Sequence, residues 1–294
     1  MDCISKKVEC AVLVTNTVKD GGFECFTKIY ELIRSYGAEV RVPSIYRDHL
    51  GRNYEVTYLD DEMLYDGADA AIILGGDGTI LKAAPYAIRC GTPILGVNLG
   101  RVGYMADVGW ADTDAIGRLF EGRYFISQRM TLCVFVEDDK GRRCIYENAL
   151  NDAVIHSSSI GRVHGVRVYS GGVLVAEHRG DGLIISTPTG STAYSMSAGG
   201  PVLDPSLECI CVTPVCSLSP AARSMVFSAD SEIEIENSPD NRVGVHLRCD
   251  GFDGADISPN TKIIINRAEK KAKLISLDNE EFFNVLHNKI MSAI

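Results

Sequence analysis

Short apolar runs and helical periodicities alternate along the first third of the chain. Cys10 to Val14 is an uninterrupted apolar run, suited to a strand buried on both faces. Phe23, Phe26, Ile29, Tyr30 and Ile33 then recur at the spacing of one helix face, and Gly37 supplies the stop. Further strand runs lie at Glu39 to Val42, Ala70 to Leu74 and Pro93 to Val97, and a helix is predicted over Asp112 to Gly122. Strands alternating with helices predict a parallel sheet covered on both faces. Pro85 falls inside the helix predicted by Ile80, Leu81, Ala84 and Ile88. A proline there costs roughly 3 kcal/mol, so a kink or an early end is expected.

Beyond about Phe125 the pattern changes to many short strand candidates. They are Met130 to Val136, Ile145 to His156, Gly165 to Tyr169, Leu183 to Ser186, Glu208 to Val212, Glu232 to Glu236, Val243 to Arg248 and Lys262 to Asn266. Turn clusters such as 138–141 and 170–172 separate them, which is an all-β pattern. From Asp278 onward Phe282, Phe283 and Leu286 recur at helical spacing. The expected fold is an N-terminal α/β domain with a parallel sheet (1–125), an all-β domain (126–270) and a C-terminal segment (271–294) packing back on the first domain. There is no internal repeat.

The 294 residues are enough for about two domains with substantial cores. Hydrophobic residues at 46% and charged residues at 23% match globular proteins and exclude collagen-like and low-complexity classes. No apolar stretch approaches the roughly 18 residues of a membrane span. Lys6 and Lys7 are followed by Glu9 and only a short apolar segment, so no secretory leader is read and a cytoplasmic location is expected. The net charge of −10 disfavours nonspecific attraction to nucleic acid or anionic membrane. Any phosphate site must therefore be built locally. The ten cysteines contain no Cys-x-x-Cys pair, and Cys209, Cys211 and Cys216 read as small core hydrophobes rather than metal ligands. No protein metal ligand is assigned, and the six histidines are scattered.

Two constellations carry chemistry. Gly75-Gly76-Asp77-Gly78-Thr79 joins the apolar run 70–74 to a predicted helix. Such a turn leaves backbone N–H groups free for phosphate oxygens beside the helix dipole. A carboxylate among them is awkward unless it binds a metal, orients a hydroxyl or takes its proton. The plain alternative is a strand-to-helix turn with Asp77 as cap. Neither Gly-x-x-x-x-Gly-Lys-Ser/Thr nor, in the turn 15–22, Gly-x-Gly-x-x-Gly is present, so P-loop and dehydrogenase readings lose ground. The second constellation, Asp181 to Pro201, runs a buried strand into hydroxyls, small residues and Tyr194, a composition suited to close contact with a polar ligand.

With these motifs the sequence resembles the NAD kinase family. The glycine turn, the pair Asn151-Asp152 ahead of a β run and the stretch Asp181 to Ser195 occur in family order and spacing, and 98–105, with Gly100, Arg101 and Gly103, resembles the family's connector. The likeness covers about 70–254. It implies transfer of the γ-phosphoryl of ATP to the 2′-hydroxyl of the adenosine ribose of NAD, with a divalent cation, Mg²⁺, carried on ATP. Asp77 would orient and deprotonate that hydroxyl. Gly75, Gly76, Gly78, Thr79 and Lys82 would serve the phosphates. The resemblance places Arg101, Asn151, Asp152, Arg162, Thr189, Thr192, Ala193, Tyr194, Ser195, Met196 and Ser197 at the dinucleotide. It places Arg179 and Asp181 where a neighbouring subunit completes the site, which implies a homo-oligomer, dimer or tetramer. Two positions depart from the family: Phe252 follows Asp250-Gly251 where glutamine is usual, and 217–223 lacks the usual histidine.

Two other readings share part of these features. A diacylglycerol or sphingoid-base kinase would share the glycine turn and Asp77, but leaves Asn151-Asp152 and 181–195 unexplained. A dinucleotide-sensing module without turnover would keep the pocket, but has no use for Asp77 beside the glycines.

Overall fold

The computed structural model describes residues 2–4, 6–21, 23–51, 53–100, 103–158, 163–238, 244–278 and 286–287. The chain forms two compact units, 1–128 with 272–294, and 129–271. The first is built from strands β1 (Asp2–Ile4), β2 (Cys10–Thr15), β3 (Glu39–Pro43), β4 (Thr57–Leu59), β5 (Ala70–Gly75), β6 (Ile94–Asn98), β7 (Ala106–Gly109) and β8 (Tyr124–Arg129). Its helices are α1 (Glu24–Ser35), α2 (Arg47–Leu50), α3 (Asp61–Leu64), α4 (Asp77–Cys90) and α5 (Gly117–Phe120). Strands β2 to β6 are parallel, and the run Ala70 to Leu74 is fully buried because helices cover both faces of the sheet. Helix α1 buries Phe26, Ile29 and Ile33 of the predicted stripe, together with Cys25, against a core that includes Leu13, Val40 and Ile72, while Phe23 and Tyr30 pack partly buried at its border.

The second unit carries two antiparallel six-stranded sheets around one core. Its strands are β9 (Leu132–Asp138), β10 (Gly141–Ala149), β11 (Asp152–Ser157), β12 (His164–Ser170), β13 (Val173–Gly180), β14 (Gly182–Ser186), β15 (Cys209–Val215), β16 (Met225–Ser228), β17 (Ile233–Asn237), β18 (Val245–Cys249), β19 (Phe252–Ile257) and β20 (Lys262–Arg267), with one helical turn, α6 (Tyr194–Ser197). The sheet orders are β10-β9-β20-β17-β12-β13 and β16-β15-β14-β11-β18-β19. Inward residues of both, among them Val134, Val168, Ile265, Ile155, Ile185 and Leu247, share one core. The chain then returns as β21 (Ala272–Ser276), which lies between β8 and β6 in the first sheet. An α/β domain, an all-β domain and a returning C-terminal segment are thus the architecture the hydrophobic pattern predicts.

Several elements differ from that pattern. Helix α4 passes through Pro85 without a break and ends at Cys90, with Gly91 as its cap. Burial of Ile80, Leu81, Ala84, Ala87 and Ile88 offsets the cost of the proline. The predicted helix 112–122 is instead a 3₁₀ stretch, Trp110–Ile116, followed by one α turn, because Asp112 adopts φ −103°, ψ 27°. Aspartate, which stands at 112 and 114, is a weak helix former in a helix interior. The single run expected over Ile145 to His156 is two strands, broken at Leu150-Asn151. Cys209 and Cys211 are buried as expected, but Cys216 is exposed at φ 46° beyond the end of β15. Strand β13 escapes the alternation rule because Val173, Leu174 and Val175 are all exposed at a sheet edge. Phe282 and Phe283 lie outside the described residues, whereas Leu286 is buried. Among the described residues no helix is long and apolar enough to cross a membrane.

Candidate active site

In the first unit β5 delivers the chain to Gly75 and Gly76, and α4 begins at Asp77 with Gly76 as its N-cap in extended backbone. The first N–H groups of a helix have no partner within it, so this terminus presents donors and the positive end of a 14-residue helix dipole. The Asp77 side chain does not cap the helix. Its Oδ2 instead accepts the N–H of Tyr104 at 2.8 Å and its Oδ1 that of Met105 at 3.1 Å. Two main-chain donors fix the carboxylate rotamer and leave lone pairs for a further donor. This approach depends on Gly103, because a Cβ there would lie 2.0 Å from the Asp77 Oδ1.

Beside this turn lies a cavity of about 700 Å³ lined by Gly76, Gly78, Thr79 and Lys82 of the glycine turn and α4, by 14–19, and by Tyr46, Tyr65 and Tyr86. The segment 15–19 has no fingerprint glycines, and sequence reasoning did not assign it. Its place is set by pairing: β2 lies beside β5, so the loop after β2 stands next to the glycine turn. Asn16 bridges the two, its Nδ2 donating to the Thr79 Oγ1 at 3.3 Å.

In the second unit the break at Leu150-Asn151 is made by Asp250. Its buried carboxylate accepts the N–H groups of Leu150 (2.8 Å), Asn151 (2.7 Å) and Asp152 (3.2 Å). Asp250 takes φ 52° in a turn before Gly251 and donates its own N–H to the Asp152 carbonyl. On the other side Thr187 donates its N–H to the Asn151 carbonyl and its hydroxyl to the Leu150 carbonyl. Gly190 then packs so closely that a Cβ on it would stand 2.1 Å from the Asn151 carbonyl oxygen. The two separate motifs thus meet in space. The Asp-Gly dipeptide was the only sequence signal for Asp250, and its role as the anchor of 150–152 was not legible.

Burial, and then the charge of Asp250, push the Asp152 carboxyl up to about 7. Burial also raises Asp250, to about 6, against the downward pull of its three N–H donors. The Asn151 Oδ1 is buried with no hydrogen-bond partner among the described residues. A buried carboxylate to which no described side chain donates, beside an orphaned amide oxygen, is costly unless a ligand supplies donors.

The hydroxyl-rich stretch divides into scaffold and surface. Ser191 bonds the Pro188 carbonyl, Thr192 the Thr189 carbonyl, and Ser195 is fully buried with its hydroxyl 3.1 Å from that of Thr213. Those three hydroxyls hold the turn together. Thr189 is buried, Ala193 and Met196 are half-buried, and Tyr194 and Ser197 are exposed. Arg179 and Asp181 are exposed, Arg179 on edge strand β13. Arg101 and Arg162 lie outside the described residues. Among the described residues no group of three or more His, Cys, Asp or Glu side chains is placed to hold a metal ion.

A glycine turn opening a helix whose first carboxylate is held by main-chain donors, joined in one chain to a β unit with a buried Asn-Asp pair, fits a nucleotide-using phosphotransferase. The chain belongs to the NAD kinase family: the ATP-NAD kinase N-terminal domain model matches residues 7–124 and the C-terminal domain model residues 150–277. An NAD kinase of Lachnoclostridium phytofermentans is 34% identical over 282 residues, 94% of this chain and 97% of the relative. The solved NAD kinase of Archaeoglobus fulgidus in complex with ATP is 26% identical, with a TM-score of 0.72, covering 96% of this chain and 99% of that one. Yeast NADH kinase complexed with NADH shares the fold at a TM-score of 0.88 and 20% identity, over 98% of this chain and 88% of that one. These likenesses span both units, including the parts a lipid kinase would leave unexplained.

Proposed function

We infer that the chain moves the γ-phosphoryl of ATP to the 2′-hydroxyl of the adenosine ribose of NAD, giving NADP and ADP. The observation that carries the chemistry is Asp77, a carboxylate held by two backbone N–H groups beside the start of α4. Its free lone pairs accept the proton of the 2′-hydroxyl as that oxygen bonds the γ-phosphorus and the bond to the ADP oxygen breaks. Backbone N–H groups of Gly76, Asp77 and Gly78, with the Thr79 hydroxyl and Lys82 beside them, cradle the donor phosphates in the 700 Å³ cavity. Mg²⁺ neutralises donor charge when bound.

In the second unit Asn151 and Asp152 take donors from the NAD ribose, relieving the unpaired Asn151 Oδ1 and the buried carboxyl. Thr189, Thr192, Ala193, Tyr194, Ser195, Met196 and Ser197 form the wall beside them, the scaffold hydroxyls through their backbone. Arg101 and Arg162 retain the dinucleotide roles that the resemblance implies. The protein acts in the cytoplasm as a homo-oligomer. The exposed apolar residues Val173 to Val175 on the β13 edge, in the strand that carries Arg179 and ends before Asp181, support pairing with a second copy.

The test is an assay of the purified protein with ATP, Mg²⁺ and NAD, reading NADP with an NADP-specific dehydrogenase. Asp77→Asn should bind NAD normally and lose about 10²- to 10⁴-fold in kcat. Near-wild-type turnover in a folded Asp77→Asn protein removes the base assignment. Specific activity that survives dilution to a monomer removes the shared-site role of Arg179 and Asp181.

A further inference from the structure

Lys19 is an exposed lysine in a loop that resembles no nucleotide motif, yet its ammonium lies over the glycine turn. A Cβ on Gly76 would stand 3.3 Å from the Lys19 Nζ, and one on Gly100 would stand 3.9 Å from it. The loop is built without that side chain. The Asn16 N–H donates to the Leu74 carbonyl at 2.8 Å, and the Asn16 Oδ1 accepts the N–H groups of Val18 and Lys19. The buried Asp20 carboxylate accepts the Thr15 hydroxyl and the N–H groups of Cys25 and Phe26, so it ties the end of the loop to α1. Among the described residues no carboxylate lies within ion-pair distance of Lys19. A lysine on a rigid loop, aimed at a phosphate-binding turn and not neutralised by the protein, is an electrostatic arrangement that a polyanion completes.

We propose that Lys19 is a catalytic residue for the donor, contacting the phosphate oxygens of ATP across the glycine turn. The proposal rests on reading the 700 Å³ cavity as the donor site. The chain carries a net charge of −10, so attraction for a triphosphate has to come from local cations, and the cavity lining contains two lysines, Lys19 and Lys82. Lys82 lies beyond the first turn of α4, whereas Lys19 faces its N-cap residue, Gly76. In the transfer, the 2′-oxygen forms its bond to the γ-phosphorus, its proton passes to Asp77, and the electron pair of the broken γ-phosphorus–oxygen bond leaves with ADP. Negative charge shifts toward the β-phosphate in that step. An ammonium over Gly76 stabilises this shift. The remaining wall of the cavity holds Pro43, Ile45, Tyr46 and the stacked Tyr65 and Tyr86, 6.2 Å apart, for the base end of the nucleotide, with Asp61 as its one carboxylate among the described residues.

The test compares wild type, Lys19→Ala, Lys19→Arg and Lys82→Ala. Binding of ATP and AMP is titrated in EDTA, and kcat and both Michaelis constants are measured with Mg²⁺. Lys19→Ala should weaken ATP binding about tenfold, the size of one charge-assisted hydrogen bond, and leave AMP binding within twofold. Its kcat should fall about 100-fold or more, with KM for NAD within twofold, and Lys19→Arg should recover part of the loss. An unchanged ATP-to-AMP ratio and unchanged kcat in Lys19→Ala overturn the proposal. Parallel loss of AMP binding and of melting temperature also overturns it, because that is the signature of a structural lysine. If wild type makes NADP but binds no ATP in EDTA or with Mg²⁺, the donor reading of the cavity fails, a result distinct from normal wild-type binding with an indifferent variant.

Discussion

At Gly103 the absence of a side chain has a direct chemical consequence. Gly103→Ala puts a Cβ 2.0 Å from the Asp77 Oδ1, so the carboxylate must leave the position that Tyr104 and Met105 hold. A displacement of about 1 Å costs roughly 10²-fold in rate, and kcat of Gly103→Ala should fall by that order while the melting temperature moves little. Asp152 gives a pH-dependent case. Its folded-state pKa of about 7 lies above the ordinary value, so its contribution to stability is present below pH 4 and is lost as pH rises through 7. Asp152→Asn should therefore raise the melting temperature at pH 8, with the gain shrinking as pH falls toward 4. The same variant should raise KM for NAD, since the ionised carboxylate is the better acceptor for ribose hydroxyls. The buried imidazoles of His164 and His178 have the opposite sign. Burial lowers both, so the stability tied to their neutral forms is lost as pH falls below about 6.5. A melting temperature of Asp152→Asn that follows wild type at every pH contradicts the burial argument.

At the scale of elements, α4 positions the first site and carries its own defect. Pro85 removes one helical hydrogen bond in a helix that nonetheless runs from Asp77 to Cys90. Pro85→Ala should stabilise the first unit by about 1 to 3 kcal/mol, raising its melting temperature by a few degrees. A drop instead would mean that the ring's packing outweighs the missing bond. The legible elements were those whose burial is simple. Strands β2, β5 and β6 are buried on both faces, and α1 presents one apolar stripe. Those that escaped depend on partners: β13 is an exposed edge, and the single run from 145 to 156 is split by an aspartate about 100 residues further along the chain.

At the scale of the whole molecule, the chain leaves the first unit after β8 and returns with β21 near its end. That strand lies inside the nine-stranded sheet, buries Ala272, Leu274 and Ile275, and is followed by the Leu277 carbonyl and the Asp278 carboxylate, which both bind Arg118. A chain ended after Lys271 leaves β6 and β8 with open hydrogen-bonding edges and an uncovered core. It should lose the cooperative melting of the first unit and become sensitive to trypsin within residues 1–128, while the β unit keeps its protection. Protection of both units in the truncated chain would show that β21 is dispensable.

Local order was legible from the sequence because it follows from side-chain periodicity and backbone freedom: which runs form strands, where α1 turns its stripe, and that a glycine turn with an aspartate opens a helix. The assignment of Asp77 as a candidate base, and of Asn151-Asp152 and 181–195 to one ligand, came from a family resemblance carried by contiguous motifs. Tertiary structure alone decided which distant groups meet. Tyr104 and Met105 hold Asp77, Asp250 breaks the strand ahead of the buried Asn151-Asp152 pair, Lys19 reaches Gly76, and the hydroxyls of Ser191 and Ser195 turn inward. These contacts join residues through parallel pairing, turns and packing rather than through spacing along the chain, so periodicity cannot encode them.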